Sequence, residues 1–391
     1  MRTVEIINLA SSAHSLLKER VLAMRAAGID SRILCMDGAH VARLREAGIP
    51  VHTVHLGRGV NPLRLLIAFV EIALYLRRNR IELVHTHCSI PGVVGRLAAW
   101  CARVPVVLHT VHGFHFHEGT PPLLRLPAVA VERLCGAMTD TLLFQNRSDL
   151  EQAHRYGIGP RHRRGFIGNG IDLSRFQAGP RRRADGTPIV IVCVARLEPV
   201  KNHAMLLEAA HMLKWWGEPF RLWLVGEGPL RGVLEDECRR LGLDDVVEFL
   251  GYRDDVPALL AAADIGVLTS IKEGLPRAAI EAMASGLPVV ATRVSGTREA
   301  VRHGVTGFTV PLGDSDALAA ALAMLIGDRA LRERLGARGR RVAAEEYDER
   351  EIVSALRRIY RVRLLARGVP DRGRVLPEVW REGVHVQTGD R

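Results

Sequence analysis

Residues 265–291 of this chain read IGVLTSIKEGLPRAAIEAMASGLPVVA, and this stretch decides the fold. Ile265–Leu268 is a short apolar run, and Pro288–Ala291 is a second one. Between them, Gly274 and Pro276 mark a turn, after which a helix is expected to begin. Two short apolar strands separated by one helix are typical of a βαβ unit in a parallel sheet.

The same alternation extends along the chain in both directions. The other apolar runs that we predict to be strands are Val4–Leu9, Ser31–Cys35, Val51–His55, Leu83–His85, Val106–Thr110, Thr141–Phe144, Pro188–Val194, Phe220–Val225 and Val246–Leu250. Helical patterns fill the gaps between them. The pattern predicts an α/β protein with two doubly wound, Rossmann-like domains that face one another across a cleft. Ligands are expected to bind in that cleft, at the carboxyl ends of the strands.

The domain boundaries follow from this alternation of predicted strands and helices. We place the first domain at residues 1–172, a linker at 173–187 and the second domain at 188–347. A long helix is predicted at 348–366, and it is a candidate to cross back to the first domain. The tail, 367–391, consists of Gly, Pro and charged residues, so it is expected to be poorly ordered.

Composition narrows the class of protein. Of the 391 residues, 48% are hydrophobic and 25% are charged, which argues against wholesale disorder. The 6 cysteines form no Cys-x-x-Cys pair, which excludes a zinc ribbon and a disulfide scaffold and favours a reducing cytoplasm. The N-terminus lacks the pattern of a signal peptide. The most apolar stretch, Leu63 to Leu76, is interrupted by charges and is too short for a membrane span.

The net charge of +11 is concentrated in the first half of the chain. Residues 1–175 carry 22 Lys and Arg against 13 Asp and Glu. This bias favours an anionic partner such as an acidic lipid surface, a phosphorylated substrate or nucleic acid. An arginine-rich composition without a functional patch explains it equally well. Because no basic stretch is interleaved with aromatic residues, we expect no nucleic-acid partner.

Two cations stand where a diphosphate could bind. Arg196 follows the strand Pro188–Val194, and Lys201 lies five residues later, at a predicted helix start with Pro199 in its first turn. A guanidinium fork and an ammonium group that converge there can bind a diphosphate and stabilise it as it departs. Two solvated surface cations are the alternative explanation. The sequence contains neither a P-loop nor a GxGxxG fingerprint.

Two carboxylates accompany the helix that starts after Pro276. Glu273 precedes the turn, and Glu281 lies inside the helix. A carboxylate accepts hydrogen bonds from vicinal hydroxyls, so each of the two could hold one sugar. The free N–H groups of the first helical turn favour negative charge nearby. The alternative is that one is a helix-start acid and the other an acid at the rim of the core.

The spacing of Glu273 and Glu281 matches the E-x7-E signature of the retaining glycosyltransferase family 4. The chain resembles that family, and its bacterial polysaccharide-assembly members, over residues 80–362. The segments that carry the resemblance are Val84–His87, His109–Phe116, Ile167–Asp172, Ala195–Asn202, Val225–Pro229, Phe249–Tyr252 and Ser270–Ala291.

The resemblance implies the GT-B fold and a retaining transfer from a nucleoside diphosphate sugar to a hydroxyl acceptor. UDP is preferred over GDP because it is the more frequent donor base in such families. The acceptor implied is a glycan, a lipid-linked molecule or a small molecule. A sugar-nucleotide epimerase of the same architecture and a non-catalytic binder of anionic surfaces or nucleic acid are the alternatives.

The resemblance also implies a role for each site residue. Arg196 and Lys201 bind the donor diphosphate, Glu281 holds the ribose, and Glu273 orients the donor sugar. The residues implied to complete the site are Gly274 and Leu275, whose backbone touches sugar or phosphate, Tyr252 and Arg253 beside the base, and His112, which reaches the donor sugar near the reacting carbon.

No metal or other cofactor is expected, because the two cations and the helix start supply positive charge. Asp314-Ser315-Asp316 imitates a metal-binding DxD motif, but it directly precedes an apolar helical run, so we predict a helix cap. A zinc site is the alternative offered by a group of histidines, although they lack an HExxH motif. These histidines are His85, His87, His109, His112, His115 and His117.

Asn61–Arg80 is the candidate for a peripheral membrane contact at the inner face of the membrane. Its body is apolar, and it ends in Arg77-Arg78-Asn79-Arg80. A helix there could lay its apolar side into an anionic membrane that carries a lipid-linked acceptor. A helix buried on both sides, between the sheet and a neighbour, is the competing explanation.

Overall fold

The computed structural model describes residues 1–57, 59, 61–114, 116, 120–177 and 187–369. These residues form two units: Met1–Gly168 together with the chain from Arg350 onward, and Asn169–Glu349. The middle of the predicted linker (178–186) and the predicted tail from residue 370 lie outside the described residues. Both therefore stay predictions.

The first unit is a parallel sheet of seven strands covered by helices. Its strands are β1 (Arg2–Ile6), β2 (Asp30–Cys35), β3 (Val51–Thr53), β4 (Leu83–His87), β5 (Val106–Val111), β6 (Thr141–Phe144) and β7 (Arg164–Phe166). Its helices are α1 (Ala10–Leu16), α2 (Lys18–Ala26), α3 (His40–Glu46), α4 (Pro62–Arg78), α5 (Ser89–Cys101), α6 (Pro122–Ala137) and α7 (Arg147–Arg155).

The second unit repeats the design with six parallel strands. Its strands are β8 (Ile189–Val194), β9 (Phe220–Val225), β10 (Val247–Gly251), β11 (Ile265–Leu268), β12 (Val289–Thr292) and β13 (Gly307–Val310). Its helices are α8 (His203–Trp215), α9 (Arg231–Arg240), α10 (Val256–Ala262), α11 (Arg277–Ala284), α12 (Ser295–Ala300), α13 (Ser315–Gly327) and α14 (Arg329–Glu346). The last helix, α15 (Glu349–Ala366), packs its Ile352, Leu356 and Tyr360 into the core of the first unit.

Each sheet reverses its strand order once. The orders are β3-β2-β1-β4-β5-β6-β7 and β10-β9-β8-β11-β12-β13. The reversal lies between β1 and β4 in the first sheet and between β8 and β11 in the second. Ligands of doubly wound sheets bind beyond the carboxyl ends of the strands at this switch point. The prediction of two doubly wound α/β domains is confirmed.

Local sequence explains where helices begin. Asn61 precedes α4, accepts a hydrogen bond from the Arg64 N–H at 3.1 Å, and is followed by Pro62 at the first helical position. Asp314 accepts from the Ala317 N–H at 2.8 Å, so the predicted helix cap at α13 is confirmed. In the described part of the chain, the structure contains no helix that combines the length and apolarity needed to cross a membrane.

Candidate active site

Lys201 and Glu273 meet at the switch point of the second sheet. Lys201 ends a single 3-10 turn after β8, and Glu273 lies in the loop after β11. The Lys201 Nζ donates to Glu273 Oε1 at 2.5 Å, and the Ser270 hydroxyl donates to the same oxygen at 2.6 Å. Both charged side chains are largely buried. The ammonium and the carboxylate therefore hold each other in place between the two loops.

Backbone contacts fix the two loops to each other. The Ile271 N–H donates to the Val200 carbonyl at 2.8 Å, and the Thr269 hydroxyl donates to the Lys201 carbonyl at 3.0 Å. Burial, and secondarily the charge of Lys201, lowers the pKa of neighbouring His203 to about 4. His203 is therefore neutral at pH 7, and Lys201 is the cation at this helix start.

Arg196 lies in the same loop as Lys201 but faces solvent. Its side chain is 51% exposed, and its Nη1 donates to Glu198 Oε1 at 2.8 Å. A guanidinium has five N–H donors, so this ion pair leaves donors for an anion. The loop thus supplies one solvent-facing cation and one cation clamped by Glu273.

The Gly226-Glu227-Gly228 segment supports the Arg196 loop. A Cβ on Gly226 would lie 2.0 Å from the Ala195 carbonyl oxygen, and a Cβ on Gly228 would lie 2.3 Å from the Leu197 carbonyl oxygen. The Leu197 N–H donates to the Glu227 carbonyl at 3.0 Å. These glycines allow the backbone after β9 to approach the backbone after β8, which sets the position of Arg196.

A second glycine contact positions the turn before α11. A Cβ on Gly296 would lie 1.5 Å from the Gly274 carbonyl oxygen, so this position accepts no side chain without a shift. The Asn169 side-chain amide donates to the Leu275 carbonyl at 3.3 Å. Sequence reasoning missed Ser270, Asn169 and Gly296 as site residues. Ser270 and Asn169 lie within segments of the family resemblance, whereas nothing near Gly296 in the sequence signals its contact.

Glu281 lies on α11, mostly buried, with its Oε1 3.7 Å from the Arg277 Nε. Burial raises the pKa of its carboxyl above the ordinary value, and the positive charges of Arg277 and Arg175 oppose that rise. The ionised carboxylate is therefore held in a poorly solvated place, where it gains from any added hydrogen-bond donor such as a hydroxyl.

Tyr252 and Arg253 follow β10. Tyr252 is half-exposed, and Arg253 makes a bidentate ion pair with Asp255 at 2.7 and 2.6 Å. The Gly226 N–H donates to the Gly251 carbonyl at 2.8 Å. The segment thus lies beside the glycine turn that supports the Arg196 loop.

His112 belongs to the first unit, directly after β5. Its Nε2 lies 2.9 Å from the Nδ1 of His87, which ends β4. His115 and His117 lie outside the described residues. The structure thus gives a defined position to each residue that the resemblance assigns to the donor, and the assignments to diphosphate, ribose, sugar and base stay predictions.

Glu5, His85 and His87 are a group of described residues whose ligand atoms could hold a metal ion, since these atoms lie within 4.8 Å of one another. All three are fully buried. Their ligand atoms already hydrogen-bond to protein groups: Glu5 Oε2 to His87 Nε2 at 2.5 Å, and His85 Nδ1 to the Tyr360 hydroxyl at 2.6 Å. Asp314 likewise already accepts a hydrogen bond, from the Ala317 N–H, as the cap of α13.

Comparison with known proteins agrees with the fold and the motifs. Residues 17–170 match the model of a glycosyl transferase 4-like domain, and residues 176–342 match that of glycosyl transferases group 1. The N-acetyl-alpha-D-glucosaminyl L-malate synthase of Bacillus anthracis is 37% identical over 311 residues, covering 76% of this chain and 78% of that protein.

Another relative is the UDP-Gal:alpha-D-GlcNAc-diphosphoundecaprenol alpha-1,3-galactosyltransferase of Escherichia coli. It is 28% identical over 318 residues, covering 77% of this chain and 81% of that enzyme. Among solved structures, HepE of Anabaena in complex with UDP and glucose superposes with a TM-score of 0.79 at 22% identity, covering 93% of this chain and all of HepE.

The matches confirm the resemblance drawn from the E-x7-E signature. They argue against the alternative interpretation of the chain as a non-catalytic binder. The chain belongs to the glycosyltransferases of group 1 with a family 4-like first domain: it is a GT-B enzyme that uses nucleotide sugars.

Proposed function

We propose that this enzyme transfers a sugar from a UDP-sugar to a hydroxyl of a lipid-linked acceptor, with retention at the anomeric carbon. The observation that carries the proposal is the Lys201–Glu273 ion pair, which brings a cation and a carboxylate together at the switch point of the second sheet. We assign this carboxylate to the transferred sugar.

Lys201 and Arg196 bind the leaving diphosphate in this proposal. The Lys201 ammonium has three N–H donors and gives one to Glu273, so two are left for phosphate oxygens. Arg196 adds a guanidinium fork, and the free N–H groups at the start of α11 add a partial positive charge. Negative charge grows on the diphosphate as the glycosyl group gains oxocarbenium character. These groups thus stabilise the transition state and replace a metal ion.

The carboxylates bind the two sugars of the donor. Glu273 shares its Oε1 with Lys201 and Ser270, which fixes its plane and leaves Oε2 as an acceptor for a hydroxyl of the transferred sugar. Glu281 accepts the ribose hydroxyls, whose hydrogen bonds offset the desolvation of its carboxylate. The Tyr252–Arg253 segment faces the base, and His112 meets the transferred sugar.

Retention agrees with the names of two relatives. The names of the Bacillus anthracis and Escherichia coli enzymes both specify an α-configured sugar, which a retaining transfer gives when the donor is α-configured. Glu273 is engaged by an ammonium and a hydroxyl, which weakens it as a nucleophile. Attack of the acceptor on the face that the diphosphate leaves is therefore the route we propose.

The UDP donor and the lipid-linked acceptor are drawn from the Escherichia coli relative, whose name specifies UDP-Gal and a diphosphoundecaprenol-linked sugar. Such an acceptor lies in a membrane, and we place the enzyme at the cytoplasmic face. The 6 free cysteines agree with a reducing compartment.

Three helices of the first unit supply a surface for that membrane. The buried side of α4 contains Ala68, Ile72 and Leu76, whereas its outer side is exposed. The competing explanation for this segment, a helix buried on both sides, is therefore wrong. Neighbouring α5 and α6 also expose apolar residues. The helical apolar surface consists of Leu63, Leu66, Ile67, Val70, Leu74, Trp100, Leu123, Leu124, Leu126 and Leu134. Arg77 and Arg78 at the end of α4 add positive charge for anionic lipid.

A donor panel with a short-chain lipid-linked sugar as acceptor tests the function. UDP-, GDP-, ADP- and dTDP-sugars are incubated with the enzyme, and released nucleotide and product are measured. We expect acceptor-dependent release of UDP and, by NMR, an α-linked product from an α-donor. GDP release alone would overturn the choice of base, and a β-linked product would overturn retention.

A further inference from the structure

A cleft opens at the carboxyl edge of the first sheet. It has a volume of about 640 Å³ and is lined by residues 36 and 37 after β2, residues 53–57 at the end of β3, and Arg64 in the first turn of α4. Ligand pockets commonly enclose about 300–1,000 Å³, so a phosphorylated sugar fits this space. Because β2 is the neighbour of β1, the cleft lies one strand from the switch point between β1 and β4.

Arg64 brings an unpaired positive charge to one wall of this cleft. Asn61 caps α4 and Pro62 occupies its first position, so Arg64 stands on a fixed helical turn. Arg64 is exposed, and its guanidinium makes no ion pair with any residue that the structure describes. A guanidinium presents a planar fork of N–H donors that matches the oxygens of a phosphate. This wall therefore suits a phosphate group.

Glu71, two turns further along α4, fixes the loop that forms another wall. Glu71 Oε2 accepts from the His55 N–H at 2.9 Å, and Glu71 Oε1 lies 2.6 Å from His55 Nδ1. Positions two turns apart lie on one side of a helix, so Arg64 and Glu71 both face this loop. His55 uses both oxygens of Glu71, which ties the loop after β3 to α4 and partly offsets the negative charge of that carboxylate.

Asp37 supplies a carboxylate from the loop after β2. It is exposed, its Oδ1 accepts from the Gly38 N–H at 2.9 Å, and it makes no ion pair within the described part of the chain. Carboxylate oxygens accept hydrogen bonds from sugar hydroxyls. Because β2 lies between β3 and β1, Asp37 is nearer to the switch point than the loop after β3 is. The cleft thus combines a cation for phosphate with a carboxylate for a sugar.

The helical apolar surface begins directly beside Arg64. Leu63 precedes Arg64 in the sequence, Leu66 and Ile67 follow it within one turn, and all three are exposed. A ligand whose phosphate binds Arg64 can therefore continue into a hydrocarbon chain that lies along α4. A free sugar phosphate has no group that would use this surface.

We propose that this cleft binds the head group of a lipid-diphosphate-linked acceptor, with the diphosphate on Arg64, the first sugar at Asp37 and the hydrocarbon chain along α4. Glu71 and His55 are positioning residues for the wall of the cleft. The inference rests on the proposed function and narrows the acceptor to a sugar that is joined to lipid through a diphosphate. A single helix then contacts the membrane and recognises the charge of the acceptor.

The first test measures binding of a short-chain alkyl diphosphate without a sugar, so the result does not depend on which sugar the acceptor carries. Calorimetry uses the full chain, with UDP at saturation so that the donor site is occupied. We expect Arg64→Gln to weaken binding by about tenfold, because a charge-assisted contact is lost. Equal affinity of Arg64→Gln and the wild type, or no binding to the wild type, would overturn the proposal.

Arg103→Gln is the matched control. Arg103 follows α5, is exposed, and makes no ion pair with another residue of the described ranges. It lies at the opposite edge of the sheet, because α5 connects the carboxyl end of β4 to the amino end of β5. This variant removes the same charge and should keep the wild-type affinity for the alkyl diphosphate.

Inorganic pyrophosphate distinguishes a lipid ligand from a free diphosphate. It lacks the chain that would lie along α4, so it should bind the wild type more weakly than the alkyl diphosphate does. Equal affinity for the two compounds would make the cleft a site for free diphosphate and would overturn the lipid assignment.

The second test is kinetic and compares two acceptors that differ in charge. One sugar is joined to a short alkyl chain through a diphosphate, and the same sugar is joined to the same chain directly. Arg64→Gln should lower kcat/KM by about tenfold for the diphosphate acceptor and by less than about twofold for the neutral one. KM for the UDP-sugar should stay unchanged. An equal effect on both acceptors would overturn the assignment of Arg64 to the diphosphate.

Asp37→Asn should instead lower kcat/KM for both acceptors by the same factor, because Asp37 is assigned to the sugar that they share. A variant that acts on the diphosphate acceptor alone would overturn that assignment. Thermal melts should show that the exposed substitutions Arg64→Gln, Asp37→Asn and Arg103→Gln leave the fold intact.

Failure of this inference and failure of the proposed function give different results. Transfer to the diphosphate acceptor that is equally fast in the wild type and in Arg64→Gln would keep the proposed function and overturn the role of the cleft. If the wild type transfers sugar to neither acceptor, the proposed function fails, and binding of the sugar-free alkyl diphosphate still decides whether Arg64 recognises it.

Discussion

Lys201 and Glu273 are 72 residues apart in the sequence, and their side chains are joined at 2.5 Å, from Nζ to Oε1. Strand order produces this contact, because β8 and β11 are neighbours at the point where the strand order of the second sheet reverses. The loops that follow them therefore meet at one edge of the sheet. One loop brings cations and the other a carboxylate and a helix start, which is the combination that we propose serves a departing nucleoside diphosphate.

The two glutamates should respond differently to removal of charge. Glu281→Gln should chiefly weaken UDP binding, because Glu281 is assigned to the ribose. Glu273→Gln should chiefly lower the transfer rate, because Glu273 is assigned to the reacting sugar. Titration of UDP against both variants by calorimetry, together with kcat, distinguishes them. Loss of UDP affinity in Glu273→Gln alone would reverse the two assignments.

Glu281→Gln should also change stability with a defined dependence on pH. Because burial raises the pKa of Glu281, the folded state binds more protons than the unfolded state above about pH 4.5. The free energy of unfolding of the wild type therefore falls as pH rises through the folded pKa. The variant shows no such fall at this position, because glutamine does not ionise. Melts at pH 5 and pH 7.5 should show a larger gain in Tm for Glu281→Gln at pH 7.5. A gain that shrinks toward pH 7.5 would contradict the stated burial of the charge.

Gly296→Ala should damage the turn before α11. Its Cβ would overlap the Gly274 carbonyl, so the turn must shift and carry Glu273 with it. Overpacking of this kind costs about 1–3 kcal/mol, and kcat should fall as well. Gly232→Ala is the control, because Gly232 lies in α9 with open space around its Cα and alanine favours helix. Denaturant unfolding and kcat are measured for both. A Gly296→Ala enzyme with wild-type stability and rate would contradict the close approach.

The two strands that the sequence does not predict each lie at one edge of a sheet, although the opposite edge strands, β3 and β10, are predicted. Thr141–Phe144 and Ile265–Leu268 match β6 and β11 residue for residue, because parallel strands buried on both faces are continuous apolar runs. The strands β7 and β13 are not predicted. Each is short, includes a glycine and pairs with a single neighbour, so it lacks a strong apolar signal.

The residues of the candidate site are likewise divided into those that the sequence predicts and those that it does not. Arg196, Lys201, Glu273 and Glu281 are predicted because they lie in local motifs with fixed spacing. The contact between Gly296 and Gly274, and that between Glu5 and His87, depend on strand register and loop packing. A single sequence contains no local pattern for such contacts.

The transfer should proceed without a divalent metal ion. Lys201, Arg196 and the start of α11 supply the positive charge, and Asp314 of the DxD-like segment caps α13. Turnover should be unchanged by EDTA and not increased by Mn²⁺ or Mg²⁺. Activity that EDTA abolishes and Mn²⁺ restores would overturn this expectation and return attention to Glu5, His85 and His87.

The helical apolar surface should bind anionic membranes. Flotation should recover the enzyme with acidic vesicles but not with neutral ones, and high salt should release it, since each basic residue contributes about 1 kcal/mol near such a surface. Leu66→Ser combined with Leu124→Ser should weaken binding. Val233→Ser, an equally exposed apolar residue of the second unit, should not. Equal flotation of all variants would exclude this surface.

The most direct measurement of the central claim compares Lys201→Ala with Lys214→Ala. Lys214 makes an ion pair of the same length, 2.5 Å, with Asp245 at the exposed end of α8, so it controls for the loss of a lysine and its pair. With the correct UDP-sugar, Lys201→Ala should lower kcat by about 10²–10³, because it removes charge stabilisation of the leaving diphosphate. Lys214→Ala should keep the wild-type kcat, and both variants should remain folded by thermal melts. A folded Lys201→Ala enzyme that turns over as fast as Lys214→Ala would contradict the assignment of the active site.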